Sequence, residues 1–273
     1  MTNLIPKSNV AGVPISKCDL NETLNLFCHF IDNKEKRRIC VTPVNNIVWA
    51  NQDGRLMTLY NTSDMNLADG IPVVWASRFL NDPVCGRVTG LDVLPAFSKI
   101  SANRGYTSFY MGAKEGVAEL LAENFSKRYP GLKIAGTYSP PFAKKFTDTE
   151  NEKIIDMINN VRPDILWVSL TSPKQDFWIA EHFDRLNVRI AIGVGGAFEV
   201  CSGVVDRSPL WMQRNGLEWL YRFIQEPKRL FSRYFVDAPK FIPLIIMQKW
   251  RMSFDRQNGH IIAISRKRQN ESD

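Results

Sequence analysis

The chain has 273 residues, of which 44% are hydrophobic, so it can bury a full core and is not expected to be disordered. Its formal net charge of +7 is concentrated at one end, because residues 206–273 hold 13 basic and 7 acidic side chains. Five cysteines without a CxxC pair argue against a disulfide framework, and neither a signal peptide nor the roughly 20-residue apolar run of a spanning helix is expected.

Short apolar runs followed by polar turns and helical periodicity recur along the chain. The strands predicted from these runs are residues 39–41, 107–111, 132–139, 165–170 and 190–194. The helix after the second strand is expected to bury one face, formed by Val117, Leu120, Leu121 and Phe125. Asp148 is expected to cap a later helix that carries Ile154, Ile155, Ile158 and Val161. This alternation predicts an α/β fold, with a Rossmann-like parallel sheet flanked by helices.

The composition changes near residues 203–209, where the chain becomes basic and aromatic. We therefore expect an α/β core at residues 1–205 and a basic, amphipathic helical C-terminal appendage at residues 206–273. Arginines at helical intervals among aromatic side chains would suit RNA binding. The apolar content, including FIPLIIM at residues 241–247, exceeds what a nucleic-acid face needs and favours an interfacial helix on an anionic membrane. Packing between copies, as in a homo-oligomer, is the remaining alternative.

The segment at residues 66–72 places a carboxylate, Asp69, in a turn between two apolar stretches. Aspartate and glycine both favour turns, so an Asp-Gly turn needs no further explanation. The functional alternative is a general base, because a carboxylate at the rim of a cleft can take a proton from a hydroxyl nucleophile. The local sequence leaves both interpretations open.

Three turns follow predicted strands and are therefore expected at one edge of the parallel sheet, where ligands collect. Gly112 ends one strand, and the run at residues 193–196, with Gly195 and Gly196, ends another. These glycines either cradle a phosphate or simply form turns, and their spacing is not GxGxxG. Between them, Lys174 and Gln175 begin a helix whose N–H groups would suit a diphosphate or a sugar. The alternative is that Asp176 merely complements the start of this helix and that Lys174 is solvated.

The sequence offers no recognisable set of metal ligands. It has no Asp-x-Asp motif, and His29, His182 and His260 are far apart without ligand spacing. The nearest acidic string, residues 148–150, is explained by helix capping. We therefore expect neither a metal nor another cofactor.

Seven strings in the stretch from about residue 42 to residue 241 stand out together: TPVNNIVWANQD, ADGIPVVWASRF, GRVTGLDV, FYMGAKEGVAELLAENFSKRYPGLKIAGTYSPPF, LWVSLTSPKQDFWI, GVGGAFEVCSGVVDRSPLWMQ and GLEWLYRFIQEPKRLFSRYF. In this order they resemble the bacterial WecG/TagA/CpsF glycosyltransferase family. The resemblance implies transfer of a sugar from a UDP-sugar to a polyprenyl-diphosphate-linked saccharide, with inversion of the anomeric centre and without a known metal requirement. N-acetylmannosamine, its uronic acid and glucose are all compatible with it, and some strings resemble exopolysaccharide members.

The resemblance also implies roles for core residues. Asp69 matches the family's proposed catalytic base, and Thr42 and Asn45 match residues near its active site. Gln175 lies in the family's Pro-Lys-Gln-Glu string, although the acidic residue here is Asp176.

In the appendage, Arg222, Arg229 and Arg233 match arginines thought to close over the diphosphate and to touch the membrane. Two positions depart from the family pattern. Glu199 stands where an aspartate is common, and Ser208 where an alanine precedes the proline. The first departure could alter contacts to the donor, and neither removes the proposed base.

Together these observations predict a cytoplasmic glycosyltransferase, peripheral on the inner face of the plasma membrane, that serves bacterial surface or exopolysaccharide biosynthesis. Its expected partners are a UDP-sugar, a polyprenyl-diphosphate-linked saccharide and the anionic membrane surface, but not nucleic acid. The competing hypothesis is a nucleotide- or RNA-binding, membrane-associated protein without transferase activity.

Overall fold

A computed structural model of the chain describes residues 5–254. Its strands are β1 (Lys7–Val10), β2 (Val13–Ser16), β3 (Arg37–Pro43), β4 (Met65–Asp69), β5 (Thr107–Gly112), β6 (Lys133–Tyr138), β7 (Ile165–Ser169) and β8 (Ile190–Gly193). Its α-helices are α1 (Leu20–Asp32), α2 (Val44–Ala50), α3 (Gly54–Thr62), α4 (Ile71–Phe79), α5 (Gly90–Arg104), α6 (Val117–Arg128), α7 (Asp148–Val161), α8 (Lys174–His182), α9 (Ala197–Cys201), α10 (Leu210–Arg214), α11 (Glu218–Gln225) and α12 (Pro227–Phe231). Phe183–Arg185 and Ala238–Lys240 form 3₁₀ turns, Ser232–Asp237 forms a π-helical turn, and residues 241–254 are helical.

Strands β3 to β8 form one parallel sheet in the order β4-β3-β8-β7-β5-β6. The predicted Rossmann-like α/β fold is therefore confirmed. Pro43 pairs with Asp69, and Gly112 pairs with Ser169, so the carboxyl ends of these strands lie at the same edge. Strands β1 and β2 form an antiparallel hairpin beside β4.

Helices cover both faces of the sheet, because successive strand residues point to opposite sides. On one face, Ile39 and Trp167 belong to an apolar cluster with residues of α1, α5 and α6. On the other face, Cys40 packs with residues of α2 and α3, and Val168 packs with residues of α7 and α8. Burial on both sides explains why the strands are apolar runs rather than alternating patterns.

Each predicted strand is present, with its ends shifted by a few residues. Two details of the sequence analysis were wrong. Thr147, not Asp148, caps α7, because its side chain accepts a hydrogen bond from the Glu150 N–H. Leu120 is 37% exposed, whereas the other residues of its predicted helix face are buried. As predicted, Val161 lies in α7.

The helical segments after Leu210 pack back onto the core. In the last of them, Phe241 and Ile245 are buried in the cluster that includes α2, α3 and α4. Gln248 donates to the Asn9 carbonyl over 2.8 Å and accepts from the Ala11 N–H over 2.7 Å. Within residues 5–254, no helix combines the length and apolar character needed to cross a bilayer.

Candidate active site

Asp69 is the last residue of β4, at the carboxyl edge of the sheet. Gly70 turns the chain sharply into α4 with a φ of +100°, a conformation that residues with a side chain rarely adopt. Burial raises the pKa of Asp69 to about 6, while the positive charges of Arg87, Arg222 and Arg233 oppose this rise. The result is a carboxylate that is ionised at neutral pH and more basic than an ordinary aspartate.

Arg222 reaches this edge from α11, across the glycine turn that follows β8. A Cβ atom on Gly196 would lie 2.9 Å from the Arg222 Nη2 atom, so a side chain at position 196 would force the guanidinium to shift. The same point is 3.7 Å from Glu199 Oε2. That oxygen is buried and has no hydrogen-bond partner within residues 5–254. The Arg222 guanidinium and the Glu199 Oε2 atom, which has no partner among the described residues, therefore lie beside the same glycine turn.

Arg233 approaches Asp69 from the π-helical turn, a geometry that often occurs at functional sites. Its guanidinium lies over the Trp49 ring, 5.6 Å from the ring centroid, and burial lowers its pKa. Arg229, one turn earlier, pairs with Glu226 and is more exposed. The appendage thus brings positive charge from α11 and the π-helical turn to a single carboxylate.

The glycine turn after β8 is shaped by two buried side chains. Gln175 accepts a hydrogen bond from the Gly195 N–H over 2.9 Å, and the Ser169 hydroxyl donates to the Gly195 carbonyl. A Cβ atom on Gly193 would lie 2.7 Å from the Gln175 amide nitrogen, so the close contact requires glycine. The Gly195 N–H is therefore engaged within the protein.

Four charged side chains join the appendage to the core beside Asp69. Arg87 pairs with Glu218 over 2.9 Å and with Asp92 over 3.0 Å. Arg207 pairs with the same two carboxylates, which makes a closed ring of alternating charge. All four side chains are 15–30% exposed, so solvent screens them less than surface pairs. We call this group the α11 clasp, because Glu218 begins α11, the helix that carries Arg222.

Comparisons with known proteins decide which family has this site. The chain matches the glycosyl transferase WecG/TagA/CpsF family over residues 8–255. It belongs to that family.

Curated relatives share the name N-acetylglucosaminyldiphosphoundecaprenol N-acetyl-beta-D-mannosaminyltransferase. The protein from Bacillus subtilis is 31% identical over 221 residues, which cover 81% of this chain and 83% of the relative. The Bacillus spizizenii protein is 30% identical over 218 residues, covering 80% and 81%. A Staphylococcus aureus protein is 29% identical over 231 residues, covering 82% and 89%. The predicted glycosyltransferase class is confirmed, and these findings do not support the binding-protein alternative.

The structure of this WecG/TagA/CpsF member brings most of the predicted site residues to one edge. Thr42 is buried near the end of β3, and Asn45 is buried in the first turn of α2. Position 112 requires glycine, because a Cβ atom there would lie 2.3 Å from the Ser169 carbonyl oxygen. Lys174 differs from the others. Its ammonium donates to the Ala143 carbonyl and lies 3.6 Å from the centre of the Phe146 ring, so this half-buried side chain is held by the loop before α7.

Other residues at the site were not predicted as functional. The α11 clasp joins side chains that are up to 131 residues apart in the chain. All four lie in strings that resemble the family, but the strings did not indicate that these side chains pair. Trp49 lies within the matching string TPVNNIVWANQD but was treated as part of a helix. Among residues 5–254, no three His, Cys, Asp or Glu side chains are grouped so that they could hold a metal ion.

Proposed function

We propose that this glycosyltransferase moves a sugar from a UDP-sugar to a hydroxyl of a polyprenyl-diphosphate-linked saccharide, with inversion at the anomeric carbon. The observation that carries the proposal is the position of Asp69, a carboxylate with a pKa of about 6 among Arg87, Arg222 and Arg233. A base of this strength suits proton transfer near neutral pH. The surrounding positive charge suits a diphosphate leaving group.

In the proposed reaction, Asp69 accepts the proton of the acceptor hydroxyl as its oxygen attacks the anomeric carbon. The new carbon–oxygen bond forms on the face opposite UDP. The bond between that carbon and the β-phosphate oxygen breaks, and UDP departs with the electron pair. Positioning of both substrates and a dry, preorganised charge environment supply the rest of the acceleration.

The leaving diphosphate carries the charge that the protein must stabilise. Arg222 and Arg233 are the appendage cations whose charges lower the pKa of Asp69, and Arg229 adds a third, more exposed one. Guanidinium groups bind phosphate oxygens through two parallel hydrogen bonds, which fixes orientation as well as charge. We propose that these three arginines hold the diphosphate and that no metal ion is needed for this.

Glu199 supports a contact to the transferred sugar. Its Oε2 atom is buried beside the glycine turn without a partner among the described residues. A buried acceptor of this kind is costly unless a donor reaches it, and sugar hydroxyls are such donors. The names of the relatives put N-acetylmannosamine first among the sugars to test, ahead of its uronic acid and glucose.

A lipid-linked acceptor requires the site to reach a membrane, and two exposed apolar surfaces favour this. Helical residues 241–254 bury Phe241 and Ile245 but leave Ile242, Ile246 and Trp250 between 56% and 68% exposed. Helix α4, which starts next to Asp69, exposes Trp75 by 63% and Phe79 by 52%. Lys249 joins the two helices, since its ammonium donates to the Phe79 carbonyl and lies 5.4 Å from the centre of that ring.

We therefore propose that α4 and residues 241–254 together rest on the anionic inner face of the plasma membrane. Aromatic side chains with lysine and arginine neighbours are typical of interfacial helices. Trp75→Ser and Trp250→Ser should each weaken co-sedimentation with anionic phosphatidylglycerol vesicles, whereas Leu120→Ser, on α6, should not. If the tryptophan variants bind vesicles normally but change the mass of the protein in solution, the surface joins copies of the chain instead.

The reaction itself is tested by incubating the full-length protein with UDP-N-acetylmannosamine and a short-chain prenyl-diphosphate N-acetylglucosamine. The expected product is the prenyl-diphosphate disaccharide together with one equivalent of UDP. Parallel incubations with the uronic acid and glucose donors identify the sugar. Absence of transfer from any UDP-sugar to this acceptor class would refute the proposal.

A further inference from the structure

A chain of buried polar side chains connects the start of α8 with the start of α2. Asp176 Oδ2 accepts hydrogen bonds from the Ser172 hydroxyl over 2.9 Å and from the Tyr60 hydroxyl over 3.3 Å. Both hydroxyl oxygens accept from the Asn46 amide nitrogen, over 2.7 Å and 2.8 Å. Asn46 Oδ1 in turn accepts from the Asn45 amide nitrogen over 2.8 Å.

When Asp176 is ionised and can only accept, the donors and acceptors of this hydrogen-bonded series can be ordered in one direction only. The Asn46 amide group has two N–H donors, and both are used, one by each hydroxyl oxygen. Each hydroxyl must then donate its own hydrogen onward, and Asp176 is the acceptor that both reach. This arrangement fixes which side of the Asn46 amide is oxygen, and that oxygen accepts from Asn45.

Because these side chains are buried, their hydrogen bonds are hard to replace. Asp176, Tyr60, Asn46 and Asn45 are between 0% and 4% exposed, so water cannot replace a missing partner. Asn45 lies two residues after Pro43, which pairs with Asp69 in the sheet. Asp176, in the first turn of α8, thus controls the direction of an amide at the carboxyl edge of the sheet.

We propose that Asp176 is a positioning residue for the reaction: through Ser172, Tyr60 and Asn46 it fixes the Asn45 amide at the edge of the site. The inference rests on the proposed transferase function for its kinetic consequences. Its structural consequence, the fixed direction of the Asn45 and Asn46 amides, is independent of that function.

The kinetic test is a double-mutant cycle in the full-length protein. Asp176→Leu removes the acceptor at similar volume and should lower kcat by about tenfold, since small misplacements at an active site have large effects. Asp176→Asn keeps an oxygen that both hydroxyls can reach, so it should retain at least about a third of wild-type kcat. In an Asn45→Ala background, Asp176→Leu should cost less than about twofold, because the two residues act through one path.

Two outcomes would overturn the inference. One is multiplicative loss in the double variant, and the other is equal loss in the leucine and asparagine variants. If Asp176→Leu does not fold, Tyr60→Phe is the substitute, because it removes the hydrogen bonds of one hydroxyl with little change in volume. Its effect on kcat should then show the same lack of additivity with Asn45→Ala.

A second measurement separates this inference from the reaction. In ¹⁵N spectra of wild-type protein, the side-chain amide signals of Asn45 and Asn46 should be resolved and slow to exchange with water. Asp176→Leu should shift both and speed their exchange, whereas Asp176→Asn should not. Unchanged amide signals in Asp176→Leu would refute the positioning role, even if transfer is observed. A shift without any detectable transfer would retain the polar chain and refute the proposed function instead.

Discussion

The pH dependence of transfer should report the environment of Asp69. Its pKa is raised to about 6 by burial, so the carboxylate is about one-tenth ionised at pH 5 and about nine-tenths ionised at pH 7. If Asp69 is the general base, kcat/KM should rise about tenfold over this interval. Initial rates of UDP release at several pH values, with a buffer set of constant ionic strength, measure this rise.

Substitutions of the neighbouring charged residues should shift the pH at which kcat/KM rises, and they should shift it in opposite directions. Arg222→Gln removes a positive charge that lowers the pKa of Asp69. The acid limb, which is the part of the pH profile where kcat/KM rises, should therefore move to higher pH. Glu218→Gln removes a negative charge that raises the pKa, so the limb should move to lower pH. Arg229→Gln is the matched control, because Arg229 pairs with Glu226, and its limb should stay in place. Identical limbs in all three variants would mean that another group titrates.

Three further predictions concern metal dependence, the α11 clasp and stability. Transfer should survive excess EDTA if Arg222 and its neighbours hold the diphosphate; complete loss that magnesium or manganese restores would contradict this. Arg207→Met should lower the free energy of unfolding by about 1–2 kcal/mol in urea titrations, because its two partly buried ion pairs with Asp92 and Glu218 are lost; no change would show that the clasp is not stabilising. Burial raises the pKa of Asp176 to about 7, so its contribution to stability is present below about pH 4 and is lost as the pH rises through 7. Between pH 5 and pH 8 the wild type should therefore lose roughly 2 kcal/mol more unfolding free energy than Asp176→Asn, and equal losses would argue against a neutral, buried Asp176 at low pH.

Local patterns were sufficient to predict five of the six strands of the sheet. Strand β4, which ends at Asp69, was missed, because its segment was expected to be a turn between two apolar stretches. The central strands are apolar runs that end in polar or glycine turns, and parallel strands buried on both faces carry this signal in the sequence. The N-terminal hairpin and α1 were not predicted, because β1 and β2 are only four residues long and depend on packing beside β4. Local capping was also misread, since Thr147 and Asp148 are both good caps and only the backbone decides between them.

Asp69 was singled out as a candidate base because its segment resembles the family's strings, since an Asp-Gly turn alone has a plain structural explanation. Gly196 was singled out because it follows a predicted strand, where glycines also form ordinary turns. Partnerships over long chain separations could not be predicted from spacing. The Lys174 ammonium donates to the Ala143 carbonyl, a partner that spacing could not indicate. Asp176 lies in the first turn of α8, as expected, but its burial and its hydrogen bonds from Ser172 and Tyr60 were not foreseen. These outcomes depend on tertiary neighbours.

The central claim is that Asp69 is the base of a UDP-sugar-dependent transfer. The most direct test compares wild type with Asp69→Asn on the prenyl-diphosphate N-acetylglucosamine acceptor, with donor binding measured by calorimetry. We expect the variant to bind the UDP-sugar like wild type while its turnover falls by about 10²–10⁴-fold, the usual contribution of a positioned acid or base. Wild-type turnover in the folded variant would contradict the account.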